Sequence, residues 1–110
     1  MTHPSKAKGD AFERLIARYF ADEGFIVERI PAGASDDRGD LWIPGVTIQC
    51  KNRTRTDLPG WWADTERQRD YNAHDDAVLI HKRVGTVDPA RQWVTVDLAQ
   101  AISLLRQAGR

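Results

Sequence analysis

The chain has 110 residues, enough for one domain with a modest core. Its 16 basic and 16 acidic side chains cancel, so any grip on a polyanion has to come from a local patch and not from the charge of the whole protein. The one cysteine, Cys50, excludes an internal disulfide. No stretch approaches the ~18 apolar residues of a membrane span and the opening residues start no apolar run, so no signal peptide, no membrane contact and a reducing, cytoplasmic setting are expected.

Residues 1–8 are polar and expected to fray. From Lys8 to Glu23, Phe12, Leu15, Ile16, Tyr19 and Phe20 recur at helical spacing as one buried stripe, and Gly24 is placed to end the helix in a left-handed conformation. Phe25–Ile30 reads as a strand. Residues 31–39, dense in Gly, Ser and Asp, read as a loop. Asp40–Ile43 and Val46–Lys51 then read as two strands joined at Pro44-Gly45, the second rich in β-branched residues.

After a polar connection, Leu58 to about Asp75 reads as a helix with Pro59 in its first turn. Trp61, Trp62, Thr65, Gln68 or Arg69, and Asn72 give it a poor apolar stripe. The two adjacent tryptophans cannot both point inward, which makes one a core residue and the other a candidate anchor for a partner subunit. The run from Ala77 to Arg83 opens as a central strand buried on both faces, and Trp93–Val96 reads as a short edge strand. Asp97 can cap a last helix, Leu98–Gln107, with Ala101, Ile102, Leu104 and Leu105 as its inner face. The order α-β-β-β-α-β-β-α predicts an α/β fold, a mixed central sheet flanked by helices, in a single domain spanning 1–110.

The hairpin carries the chemistry. With Pro44-Gly45 in the turn, Ile43 faces Val46, Trp42 faces Thr47, Leu41 faces Ile48 and Asp40 faces Gln49, with Cβ atoms of facing residues roughly 5 Å apart. Lys51 lies two places along on the same face. A carboxylate, an amide oxygen and an ammonium then converge at one end of the hairpin, with Cys50 on the opposite, buried face as a small hydrophobe.

That element order, with Asp40…Gln49-x-Lys51 behind a helix opening Gly9-Asp-Ala-Phe-Glu13 and a Gly24-Phe-x-Val27-x-Arg29 segment, resembles the PD-(D/E)xK, or restriction-endonuclease-like, nuclease superfamily. Within it the resemblance is to the Holliday-junction-resolvase-like branch, including its phage and bacterial members, over roughly residues 8–80. The resemblance implies a restriction-endonuclease-like core and a Mg²⁺-dependent endonuclease, with Mn²⁺ as an alternative ion, that cuts DNA at branched junctions in recombination or repair. It also implies a homodimer, working in a host cytoplasm if phage-encoded. It implies that Asp40 and Gln49 ligate the metal with the main-chain carbonyl of Cys50, that Lys51 positions the attacking water and stabilises phosphate charge, and that Glu13 completes the site. Ser35 occupies the place of a loop serine in relatives. Gln49 departs from the usual Glu and removes one negative charge, which weakens metal affinity and leaves activity itself to be tested.

The residue types fit that chemistry on their own terms, because Mg²⁺ takes hard oxygen ligands and activates a bound water. Other readings stand beside it. Asp40 can cap the strand or satisfy the Gly39 turn, Gln49 and Lys51 can form a solvated strand face, and Asp10-x-x-Glu13 fits a helix N-terminal capping arrangement. Asp36 and Asp37 read as solvated loop acids, or as a source of the charge Gln49 lacks. Arg53 and Arg55 continue the Lys51 face toward neighbouring phosphates if the strand runs on, and otherwise lie in a solvated loop. His81-Lys82-Arg83 reads as solvated charge or as a DNA contact. The rival functions are a non-catalytic nuclease-fold DNA-binding module, and a nuclease of the same fold acting on flaps, ends or foreign duplex.

Overall fold

Helix α1 (Pro4–Asp22) buries Phe12, Ile16 and Ala17. It starts about one turn before the expected Lys8, with a proline at its first position where no N–H is needed; residues 4–8 are helical, not frayed. The structure, a computed structural model, describes residues 4–31 and 39–110. Gly24, at φ +95°, closes the helix as expected. The strand expected over Phe25–Ile30 shrinks to β1 (Glu28–Arg29), with Phe25 and Ile26 left exposed. It is an edge strand that finds only two partners, Trp42 and Leu41.

Strands β2 (Leu41–Ile43) and β3 (Val46–Lys51) form the hairpin in the predicted register, Leu41 with Ile48, Trp42 with Thr47 and Ile43 with Val46. Gly45 sits at φ +77°, the positive value that a turn with proline before it demands. Helix α2 (Leu58–Asn72) then crosses over to β4 (Asp76–His81), which runs parallel to β3, and β5 (Trp93–Thr95) closes the far edge antiparallel to β4. The result is an α/β fold with a five-stranded mixed sheet whose spatial order follows the chain.

Strand alternation divides the core in two. Leu41, Ile48 and Ile80 pack with α1, whereas Ala77 and Leu79 pack with Trp62 of α2. Along α2 the buried positions are Trp62, Thr65 and Gln68, the stripe read from the sequence. Asp57 caps its start by accepting from the Gly60 N–H at 3.1 Å, and Ala73 ends it in a left-handed conformation, three residues before the expected stop. Trp61 is half-buried against the α2 cluster instead of standing free as an anchor.

The last helix, α3 (Leu98–Gln107), is capped by Asp97 as expected but turned differently. Gln100 is its buried residue, while Leu98, Ile102 and Leu105 are exposed. The cause is Asp76, which is 2% exposed and accepts from Gln100 Nε2 at 2.7 Å and Ser103 Oγ at 2.8 Å. A buried carboxylate has to be hydrogen-bonded, and satisfying it points the polar side of α3 inward. Burial would raise the Asp76 carboxyl, but hydrogen bonds from Gln107, Ser103 and Gln100 outweigh it and hold the group below its usual value.

Asp76→Ala leaves those donors unsatisfied and is expected to cost about 2–4 kcal/mol in urea unfolding. Because the folded carboxyl is depressed, its share of stability is complete above the unfolded value of about 3.9 and drains as the pH falls below it. The stability gap between wild type and Asp76→Asn is expected to be flat above about pH 4 and to close in acid.

Candidate functional site

Strand β3 brings the predicted residues to one place. A cleft of about 540 Å³ opens where β2 begins beside the last residues of β3, lined by Asp10, Glu13, Asp40, Gln49, Cys50 and Lys51 with cationic side chains at its rim. Gly39 fixes the approach of the chain. Its φ is +81°, and a Cβ there would lie 2.9 Å from Thr47 Cγ2, so only glycine enters Asp40 along this path.

Asp40 follows directly. Its N–H donates to the Ile48 carbonyl at 3.1 Å, and its Oδ2 accepts from the Cys50 N–H at 2.8 Å. The carboxylate thus takes over where the backbone ladder stops. It satisfies more than a turn, and it points at β3. The N–H and C=O of one strand residue emerge on the same edge, so the Cys50 carbonyl opens on the edge where Asp40 stands.

Glu13 enters from α1. The helix begins at Pro4, so Asp10 and Glu13 lie inside it and the capping reading is excluded. Arg29 of β1 holds Glu13, with Nε at 3.2 Å and Nη2 at 3.1 Å from Oε1. Burial, and then the nearby Asp40 charge, push the Glu13 carboxyl above its usual value against the pull of Arg29. Asp40 is likewise raised by burial, against the Cys50 N–H, Lys51 and Arg29. Two carboxylates raised by burial therefore face one cleft, with Asp10 also on its lining.

Gln49 is 7% exposed and its Oε1 is buried without a hydrogen-bond partner. A buried acceptor left unpaired is destabilising, and this one lines the cleft beside Asp40. The oxygens gathered here, two carboxylates, an amide and a main-chain carbonyl, are the hard donors that Mg²⁺ or Mn²⁺ takes. They fit such an ion with two acidic ligands only; among the described residues no cluster of three His, Cys, Asp or Glu side chains is arranged to hold a metal. Cys50 is half-buried against the α1 cluster, and burial, followed by the charges of Asp40 and Glu13, pushes its thiol well up, which makes it inert as a nucleophile.

The outer candidates separate. Strand β3 stops at Lys51, so Arg53 and Arg55 lie in the connecting loop and do not continue the strand face. Arg53 still lines the cleft; Arg55 is exposed and does not line it. Ser35, Asp36 and Asp37 fall outside the described residues. Lys82 donates to the Arg83 and Thr86 carbonyls, which makes it a loop fastener.

Sequence reasoning missed two residues. Arg29 had no role of its own, and its pairing with Glu13 depends on a β1–β2 register between segments eleven residues apart in sequence. Lys6 lines the cleft from the first turns of α1, in the segment expected to fray. The sequence matches no family model and no curated protein, and the chemical reading therefore rests on the side chains themselves.

Asp40→Asn keeps an acceptor for the Cys50 N–H while removing one of the two charges. Because the Asp40 carboxyl is raised in the folded protein, its ionisation lowers stability as the pH climbs through the folded value, and has no effect below the unfolded value. The variant is expected to melt above the metal-free wild type at pH 7, and together with it near about pH 3, by differential scanning fluorimetry.

Proposed function

We propose that this chain is a metal-dependent endodeoxyribonuclease with a restriction-endonuclease-like core, acting on DNA at branched junctions. The observation that carries the proposal is the meeting of Glu13, Asp40, Gln49 and Lys51 in one cleft, with an unpaired buried oxygen on Gln49. The order of elements and the hairpin register agree with such a core.

Glu13, Asp40, the Gln49 amide oxygen and the Cys50 carbonyl would hold Mg²⁺ or Mn²⁺. When bound, the ion supplies an acidified water and offsets charge at phosphorus. The remaining work belongs to the chain. Lys51 places its ammonium against the scissile phosphate and stabilises the charge that grows there. Asp40, fixed by Cys50 and Gly39, keeps its orientation while DNA enters. Arg29 restrains Glu13, so that the helix-borne carboxylate stays aimed at the cleft. Lys6 and Arg53 at the rim supply local positive charge, which a neutral protein needs to bind a polyanion. The charged lining of the cleft suits recognition of backbone shape and phosphates over base edges. Paired cuts across a junction call for a two-fold dimer.

A second reading, DNA binding without catalysis, is favoured by one observation, the neutral amide at position 49. Cleavage of labelled four-way junction, flap and linear duplex in Mg²⁺ and in Mn²⁺ decides between them. Junction cutting is expected, with Lys51→Ala lowering the rate at least 100-fold (by analogy with the loss of one oxyanion donor) while junction binding persists. Gln49→Glu is expected to lower the Mg²⁺ concentration needed for half-maximal cutting. Binding with no cutting in either metal would establish the non-catalytic reading.

A further inference from the structure

Beyond the cleft, one row of side chains crosses the sheet on the Lys51 face. Lys51 pairs with His81, and His81 pairs with Trp93; residues directly opposite one another in a sheet point to the same side. Two strand spacings put the backbone of Trp93 about 10 Å from that of Lys51. Trp93 is 49% exposed on the edge strand, so its indole is open to a ligand.

The indole does not stand alone. The Arg83 guanidinium lies 4.4 Å from its ring centroid. The Arg83 backbone is held by Gln92, which is 8% exposed and precedes Trp93 in the chain. Gln92 Oε1 accepts from the Arg83 N–H at 2.7 Å, and its Nε2 donates to the Thr86 and Asp88 carbonyls at 3.1 and 2.9 Å. Lys82 ties the same turn from its other side. Between the pair and Lys51, His81 is bonded to Thr95 Oγ1 at 2.8 Å, has the Trp61 ring 6.1 Å away, and is kept below its usual value by burial, so it adds no charge at neutral pH. A rigid aromatic face with a cation stacked on it, built by a buried amide, is what an unpaired nucleobase binds, since every base presents a π-face.

We propose that Trp93 and Arg83 form a stacking platform for a single unpaired base lying a nucleotide or two from the phosphate held at Lys51. The preferred substrate is then DNA with a splayed or single-stranded segment next to the cut, in preference to continuous duplex. The proposal rests on the nuclease reading above and adds the feature of the substrate that the site selects.

The test measures binding of the full chain by fluorescence anisotropy, in Ca²⁺, to three oligonucleotides. One is a blunt duplex, one the same duplex with a short single-stranded flap, and one the flap with abasic sites, which keep phosphates but offer no base. Wild type is expected to favour the flap over the blunt duplex by roughly 5- to 100-fold and to lose that preference on the abasic flap. Trp93→Ala is expected to collapse the flap-to-blunt ratio toward one, and Trp93→Phe to keep most of it, which controls for folding. An unchanged ratio in Trp93→Ala, or equal binding of abasic and intact flaps, overturns the platform. If junctions are nevertheless cut in a Lys51-dependent way, the nuclease reading stands without it; if no DNA is bound at all, both fall.

Discussion

A single hydrogen bond, from the Cys50 N–H to the Asp40 carboxylate at 2.8 Å, joins the architecture to the chemistry. Just before β2 the Asp40 N–H still donates to the Ile48 carbonyl, and the side chain of Asp40 takes the next donor of β3 in place of a main-chain carbonyl. The end of the ladder is therefore a carboxylate, rigid because the ladder is rigid. The positive φ of Gly39 lets the chain arrive there, and Thr47 leaves room for nothing larger. The position of Asp40 follows from backbone geometry more than from its own rotamer. That is the support a site needs if its groups are to hold their geometry before a ligand arrives.

Around that bond, charge is balanced by side chains from distant parts of the chain. Asp40 and Glu13 come from a strand and a helix, and burial raises both. Arg29 arrives from the edge strand and Lys51 from the end of β3. The opposing cations keep two buried carboxylates tolerable in a low-dielectric cleft, yet leave an acceptor on Gln49 unanswered. The rest of the molecule is indifferent to this arrangement. Its stability comes from two separate apolar clusters and from the polar clasp of Asp76 on α3, which sits at the opposite end of the parallel strands.

What could be read from the sequence was local or periodic. The hairpin register needed only a turn and an alternation of two, and Asp57 and Asp97 announce their helices by type and spacing. The failures share one cause, a tertiary partner far away in sequence. The apolar FIV run promised a strand, but an edge position supplied only two partners, and Ile26 stays in water. The stripe on α3 promised an inward Ile102 and Leu105, but Asp76 required hydrogen-bond donors more than the core required two aliphatic side chains. Arg29 could not be assigned to Glu13 without knowing which face of β1 meets α1. The convergence of Asp40, Gln49 and Lys51 was legible; the residues that set their electrostatics were not.

The neutral amide at position 49 is better understood from this balance than as a lost ligand. A carboxylate there would add negative charge to a cleft that already holds Asp40 and Glu13, both raised by burial, with Asp10 also on its lining. Without a metal, such a site would repel itself and loosen the end of the hairpin. With Gln49, position 49 itself costs the ion-free protein one unpaired acceptor, a smaller demand than an unpaired buried charge. In the proposed site the same exchange lowers the charge available to a cation, trading metal affinity for a cleft that keeps its shape when empty. Under the proposed nuclease reading, cutting is accordingly limited by ion occupancy before it is limited by the placement of Lys51.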